Sequence, residues 1–289
     1  MKDNVCVAAV NTGAQPADEH RTFKELRQGV RTAAGHGAEL VLFPELSLTG
    51  FLPNHPTKDH DTWLRAALQA AHESAQALDG SAVQQFIQLA KESRILLCGG
   101  LLEDAGKHLF NTQVLVGPDG LLGYWRKMHI PMYEMPFYIG GGQPLVADTP
   151  LGRIGVNICF DALFPESTRL LALQNAELVL FPFAADPDPG TVDAWYDWSS
   201  PAVQARCQEN GVFGLACNYR GHVECCDTQQ TFPGGHFAVG PTGAVSRGVT
   251  KDGCLLVHWR QDELKVARAA PEYLFRFRRP ELYKPLGTP

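Results

Sequence analysis

The sequence predicts an α/β protein made of two similar halves that face each other in one sandwich. Short apolar runs alternate with amphipathic stretches along most of the 289 residues, the pattern of strands feeding helices. The heptapeptide AELVLFP occurs at 38–44 and again at 176–182. Turns GPDG at 117–120 and GPTG at 240–243 follow the two copies, so each half reads as a helix, a buried strand and a later hairpin. Length alone allows one or two domains. The shared alternation argues for one, over 1–270, with 271–289 as a C-terminal tail.

Taken in order, 5–10 is an apolar strand, and a helix follows a polar loop, with Phe23, Leu26, Val30, Ala33 and Ala34 on one face and a Gly35–His36–Gly37 stop. Strand 40–43 closes at Pro44, which brings Glu45 out just beyond the sheet, facing a cleft. A loop over 51–60 leads to an Ala-rich helix over 61–78. Ser81 and Gln84 form a capping box for the next helix, whose apolar face holds Val83, Phe86, Ile87 and Ala90. Strands are expected at 95–102, 110–116 and 121–125, the last delivering Lys127 to its end. The loop IPMYEMPFYIGGGQP at 130–144 is long, aromatic and Gly-rich, the composition of a pocket wall or lid.

In the second half, Ile154, Val156 and Ile158 alternate with small or polar residues in a strand that stops at Cys159. Pro165 suits the first position of the following helix, and Glu166 adds a carboxylate to its first turn. Strand 178–181, an acidic loop containing Asp186, Asp188, Asp193 and Trp195, and a helix from Ser200–Pro201 come next. Strand 212–217, a GHVECC loop, strand 236–239 and further strands through Trp259 complete the body.

Hydrophobic residues make up 45% and charged residues 19% of the chain, which fits a sizeable core and excludes a disordered chain. Lys and Arg total 25 against 31 Asp and Glu, a net charge of −6, which argues against a nucleic-acid surface. No run is apolar and long enough for a signal peptide or a membrane span, so a cytoplasmic protein without membrane partners is expected. Eight cysteines without regular spacing read as reduced thiols. Cys225–Cys226 with His222 and His236 matches no standard zinc spacing, and a polar loop is the preferred reading over a metal site.

Glu45, Lys127 and Cys159 each fall just past a strand end, and in a sheet whose strands run the same way such residues converge on one edge. Together they supply a base, a cation and a nucleophile. Each alone has a plainer reading, as a cap carboxylate, a surface charge and a core filler. A thiol held before a turn has backbone N–H groups nearby that are expected to lower its pKa.

With these flanks the residues resemble the nitrilase-like carbon–nitrogen hydrolases. FPELSLTGF at 43–51 is similar to that family's glutamate motif, YWRKMHIP at 124–131 to its lysine motif and GVNICFDALFPE at 155–166 to its cysteine motif. The resemblance runs through nearly the whole chain in family order, through VLFPFA, ARCQENGVFGLACN, GGHFAVGPTG and RRPELY. It implies a four-layer α-β-β-α sandwich and a hydrolase that needs no cofactor and no metal. Glu45 would be the general base, Cys159 the nucleophile, and Lys127 with the Phe160 N–H the oxyanion site. Glu134 matches a second family glutamate, with one residue more before the aromatic pair Phe137–Tyr138, and is either catalytic or orients Lys127. Tyr133, Phe137, Tyr138, Phe160, Phe183 and Trp195 are expected to bind substrate.

The implied substrate is a small amide or N-carbamoyl compound, cleaved through a thioester with release of ammonia. A nitrilase, or a non-catalytic binding protein on the same fold, stays as the alternative. Phe160–Asp161 differs from the Trp–Glu of the nitrile branch, and Asp161 is expected to fix the turn by hydrogen bonding. The family and the RFRRPELYKPL tail also imply a homodimer or larger even assembly.

Overall fold

The structure is a computed structural model that describes the chain except residues 17, 55–58, 143, 227, 247–251 and 288–289. The first half holds β1 (Asn4–Val10), α1 (Glu19–Gly35), β2 (Leu40–Leu42), α2 (His60–Ser74), α3 (Ser81–Ser93), β3 (Leu96–Asp104), β4 (Leu109–Gly117) and β5 (Gly120–Arg126). The second holds β6 (Ala147–Thr149), β7 (Gly152–Val156), α4 (Pro165–Leu173), β8 (Leu178–Phe183), α5 (Val192–Asn210), β9 (Phe213–Asn218), β10 (Arg220–Cys225), β11 (Thr228–Pro233), β12 (His236–Val239) and β13 (Val245–Ser246). β14 (Cys254–Arg260) returns to the first sheet, and α6 (Gln261–Ala269) follows.

The sheets run β14-β1-β2-β3-β4-β5 and β6-β7-β8-β9-β12-β13. The two AELVLFP copies supply β2 and β8, which hold the third place in each, and the GPDG and GPTG hairpins hold the fifth and sixth. The sequence repeat is thus a structural repeat. Alternation along β1 separates the layers. Val5, Val7 and Ala9 pack between the sheets with Ile154, Val156 and Leu180, whereas Cys6, Ala8 and Val10 pack outward against Phe23 and Leu26 of α1 and Phe86 of α3. Leu171 of α4 and Val203 of α5 cover the other sheet, completing four layers, α-β-β-α.

Local chemistry sets the element ends. Asp18, Asp59 and Thr191 cap α1, α2 and α5 by accepting the N–H of Arg21, Thr62 and Ala194, and α1 stops before Gly37, whose φ is 85°. Five expectations need correction. α2 ends at Ser74 because 75–78 turn away, with Gln76 bridging to Glu103. α3 lacks the Ser81 cap, and the Gln76 side chain instead accepts the Ala82 N–H at 3.1 Å. α5 begins at Val192, so that Pro201 lies inside it and Trp195 is helical. The GHVECC segment belongs to the β10–β11 hairpin, and α6 was not foreseen. The loop expected over 51–60 lies partly outside the described residues, as do parts of 130–144 and of the stretch before β14.

Strand direction brings the loop ends together. β1, β2 and β3 are parallel, and β5 returns to their direction through the antiparallel β4; β7, β8 and β9 are parallel in the facing sheet. The segments after β2, β5, β7 and β8 therefore leave their strand ends in the parallel direction. The turn after β2 lies directly on β3. The Leu48 N–H donates to Gly100 O at 2.7 Å, Ser47 Oγ accepts the Gly100 N–H at 3.1 Å, and a methyl group on Gly100 would stand 2.4 Å from the Leu46 nitrogen. Gly100→Ala should therefore displace the Glu45 turn and lower stability by about 1–3 kcal/mol. Gly35→Ala, with open space around it, should change stability by less than about 0.5 kcal/mol. Urea unfolding of the two variants reads this out, and equal midpoints would show that the turn can shift without cost.

Candidate active site

Glu45 emerges right after Pro44 and, instead of facing a cleft, is fully buried. Its Oε1 accepts Lys127 Nζ at 2.7 Å and Asn111 Nδ2 at 2.6 Å, and its Oε2 accepts the Ala184 N–H at 2.8 Å. Lys127, also fully buried, follows β5, and its backbone is fixed on both sides by the Asn111 carbonyl and the Gly141 N–H. Its ammonium donates a second time, to Glu134 Oε2 at 2.6 Å. Glu134 sits in a short turn after Pro131, where Tyr138 donates its hydroxyl to the same carboxylate oxygen.

Cys159 opens a 3-10 turn, Cys159–Leu163, between β7 and α4, and its φ is 49°. Leu46, beside Glu45, has φ 51°. A left-handed conformation in a residue with a β-carbon costs on the order of 1 kcal/mol or more and persists where the surroundings enforce it. Here it marks the residues that turn two facing strand ends into one site. As the second residue of its turn, Phe160 has an N–H without a partner inside the turn.

Electrostatics makes these groups one unit. Burial raises the Glu45 carboxyl above its ordinary value, with Lys127 opposing and Glu134 adding to the rise. Burial alone would lower the Lys127 pKa, but Glu134 and Glu45 outweigh it and hold the ammonium well above its usual range. Burial also pushes the Cys159 thiol well up, Glu45 pushes it further, and Lys127 and the Ala184 N–H pull it down by less. The expectation of a thiol acidified by its turn is therefore corrected. Desolvation and the nearby carboxylates win, and the resting sulfur is a neutral thiol beside a strengthened base.

A cavity of about 510 Å³ opens onto this unit and is lined in part by Cys159, Glu134, Tyr133, Phe160, Trp198 and Asn54. Tyr133 and Phe160, expected to bind substrate, line this cavity. Phe137 and Tyr138 are buried behind Glu134, Phe137 edge-on to Trp63, so they back the carboxylate and do not wall the cavity. Phe183 and Trp195 need a larger correction. Both are 0% exposed and pack on each other, and Trp195 also packs on Phe237, because α5 starts early and aims Trp195 into the core. Trp198, one turn later, is 44% exposed and takes the place at the cavity wall. Asn111 and the Ala184 N–H were missed. The polar run Asn111–Thr112–Gln113 inside a buried strand was a usable signal for the first, whereas a backbone group carries none.

A carbon–nitrogen hydrolase model matches residues 6–259. The chain belongs to the carbon–nitrogen hydrolase family. An N-carbamoylputrescine amidase of Solanum tuberosum is 30% identical to this carbon–nitrogen hydrolase over 273 residues, covering 90% of this chain and 87% of that protein. A citrullinase of Francisella tularensis is 29% identical and covers 97% of both. Among solved structures, a carbon–nitrogen hydrolase from Helicobacter pylori superposes with a TM-score of 0.81 over 99% of both chains at 21% identity, a match of fold. Among the described residues no helix is long and apolar enough to cross a membrane, and no group of three His, Cys, Asp or Glu stands close enough to hold a metal ion.

Removing one partner of a buried ion pair leaves an uncompensated charge. Lys127→Met in this hydrolase should therefore cost about 3–5 kcal/mol of stability, and adding Glu45→Gln and Glu134→Gln should recover part of it. Urea unfolding of the single and triple variants tests this. A single variant as stable as the parent would mean that the two carboxylates do not depend on the ammonium.

Proposed function

We propose that the chain hydrolyses small amides and N-carbamoyl amines through a thioester on Cys159. The observation that carries this reading is the buried Glu45–Lys127–Glu134 unit at the edge of the cavity that Cys159 lines. Glu45 takes the thiol proton as sulfur attacks the carbonyl carbon. An ammonium has three N–H donors; Glu45 and Glu134 take two, and the third, with the Phe160 N–H, receives the oxyanion. As the tetrahedral intermediate collapses, the C–N bond breaks, Glu45 returns its proton to the nitrogen, and ammonia or an amine leaves. Water then loses a proton to Glu45, attacks the thioester and releases the acid while sulfur regains its proton. Glu134 keeps Lys127 charged and aimed.

The cavity's lining favours one charge class. Among the described residues the carboxylates lining it are Glu134, Asp186 and Asp188. Glu134 is paired with Lys127 and Asp186 also has a partner, and Asp188 favours a neutral or cationic substrate over one ending in a carboxylate. The relative named for an N-carbamoyl amine agrees with this. Phe160–Asp161 after the cysteine, where nitrile-type sequences carry Trp–Glu, favours amides over nitriles.

Ammonia release from matched short-chain amides, N-carbamoyl amines, N-carbamoyl acids and nitriles tests the reading. Amides and carbamoyl amines should turn over at least about tenfold faster than the acids and nitriles, a difference of about 1.4 kcal/mol in barrier. Acid-quenched protein should carry the acyl group on Cys159, and Cys159→Ala and Glu45→Gln should lose turnover while staying folded. Because Glu45 must be ionised to act and its pKa is raised, kcat/KM should fall with decreasing pH at a higher pH than an ordinary glutamate would dictate. Nitriles as fast as amides would overturn the substrate class, and full activity of either variant would overturn the mechanism.

A further inference from the structure

We propose that Asp161 is a positioning residue that holds the segment carrying Lys127 in register with the turn carrying Cys159. The inference rests on the reading of these two residues as working partners. Lys127 follows β5 in one sheet and Cys159 follows β7 in the other, and the sheets meet through apolar side chains. Apolar packing is non-directional, yet a misplacement of about 1 Å between reacting groups costs about a hundredfold in rate. Directional bonds across the sandwich are needed at this point, and Asp161 makes them.

Its side chain is buried, and all of its partners are donors. Oδ1 accepts the His129 N–H at 2.9 Å, His129 Nδ1 at 2.8 Å and the Met128 N–H at 3.2 Å, and Oδ2 lies 3.3 Å from the same Met128 nitrogen. Oδ2 also accepts the Ile158 N–H at 3.2 Å, and the Asp161 N–H returns a bond to the Ile158 carbonyl at 3.0 Å. One carboxylate thereby ties the two residues after Lys127 to the residue before Cys159. The His129 ring lies flat on Phe164, with centroids 3.8 Å apart and planes at 8°, so a second contact clamps the same two segments.

The donor set explains why this is an aspartate. Both oxygens face N–H groups, which requires a side chain that only accepts. Asparagine has the same size but would turn an NH₂ toward either the Met128 and His129 donors or the Ile158 donor. One side of the clamp would open, and Lys127 and Cys159 would lose their common reference.

Steady-state turnover of Asp161→Asn in the full chain, on the fastest compound of the panel, is the first test. A positioning role predicts kcat at least 30-fold lower with KM within threefold, in protein whose thermal midpoint shows it folded. The second test needs no turnover, so it stays readable if the hydrolase assignment fails. Cys159 alkylation by iodoacetamide should slow at least tenfold on Asp161→Asn in the parent, because Lys127 no longer supports the thiolate, but less than twofold in a Lys127→Met background. Equal slowing in both backgrounds would mean that Asp161 serves the cysteine turn alone and would overturn the proposal. Should Asp161→Asn fail to fold, His129→Phe keeps the stacking and removes one bond. It should lower kcat three- to tenfold at unchanged KM, and kcat within twofold of the parent would overturn the proposal.

Discussion

The structure depends on one buried ammonium. Lys127 stands between Glu45 and Glu134, 2.7 and 2.6 Å from their carboxylates, with no exposed side-chain surface of its own. Desolvating three charges is unfavourable, and their mutual attraction repays it only where geometry is good and the remaining lone pairs are bonded. Asn111, Ala184 and Tyr138 meet that condition. Burial raises both the Glu45 carboxyl and the Cys159 thiol, a neighbouring carboxylate adds to each rise, and the single ammonium opposes both without cancelling them. The result is a base that holds a proton more tightly than usual beside a thiol that must give one up.

The twofold repeat supplies the frame, and its asymmetry supplies the chemistry. β2 and β8 come from the same heptapeptide and hold the same place in their sheets, but the first copy ends in Glu45 and the second in Phe183. Phe183 packs into the core against Trp195, and its successor Ala184 points a backbone N–H at Glu45. One copy thus provides the carboxylate and the other a fixed donor for it. The left-handed residues Leu46 and Cys159 bend the two facing strand ends toward the same place.

Much of this was legible in the residues. Glu45, Lys127 and Cys159 stood out because each follows an apolar strand pattern at its end, and the AELVLFP repeat announced two halves. Helix α5 was misread because Pro201, taken for a helix start, lies inside it, while the Thr191 cap and the Asp193 carboxylate already marked the true beginning. That one shift hid Trp198 and misassigned Trp195. The β10–β11 hairpin was missed because its buried face alternates in position but not in residue type. Val223 and Phe232 are buried, yet Gln230 and Gly221 share that face, which leaves little apolar period of two to read. Asp161 was expected to fix its own turn, as its bonds with Ile158 do. Its bonds to Met128 and His129 and the Ala184 N–H could not be read, since they depend on how two separately folded sheets come to face each other.

The central claim is that the resting site holds a neutral thiol beside a strengthened carboxylate base, with Lys127 charged between two acids. The ultraviolet absorbance of thiolate, taken as the difference between the parent protein and Cys159→Ala across a pH titration, measures this directly. The account predicts no thiolate from Cys159 at neutral pH and its appearance only above the ordinary range of a cysteine. A full equivalent of thiolate at neutral pH would contradict it and would mean that the site stores a thiolate–ammonium pair in place of a proton on sulfur.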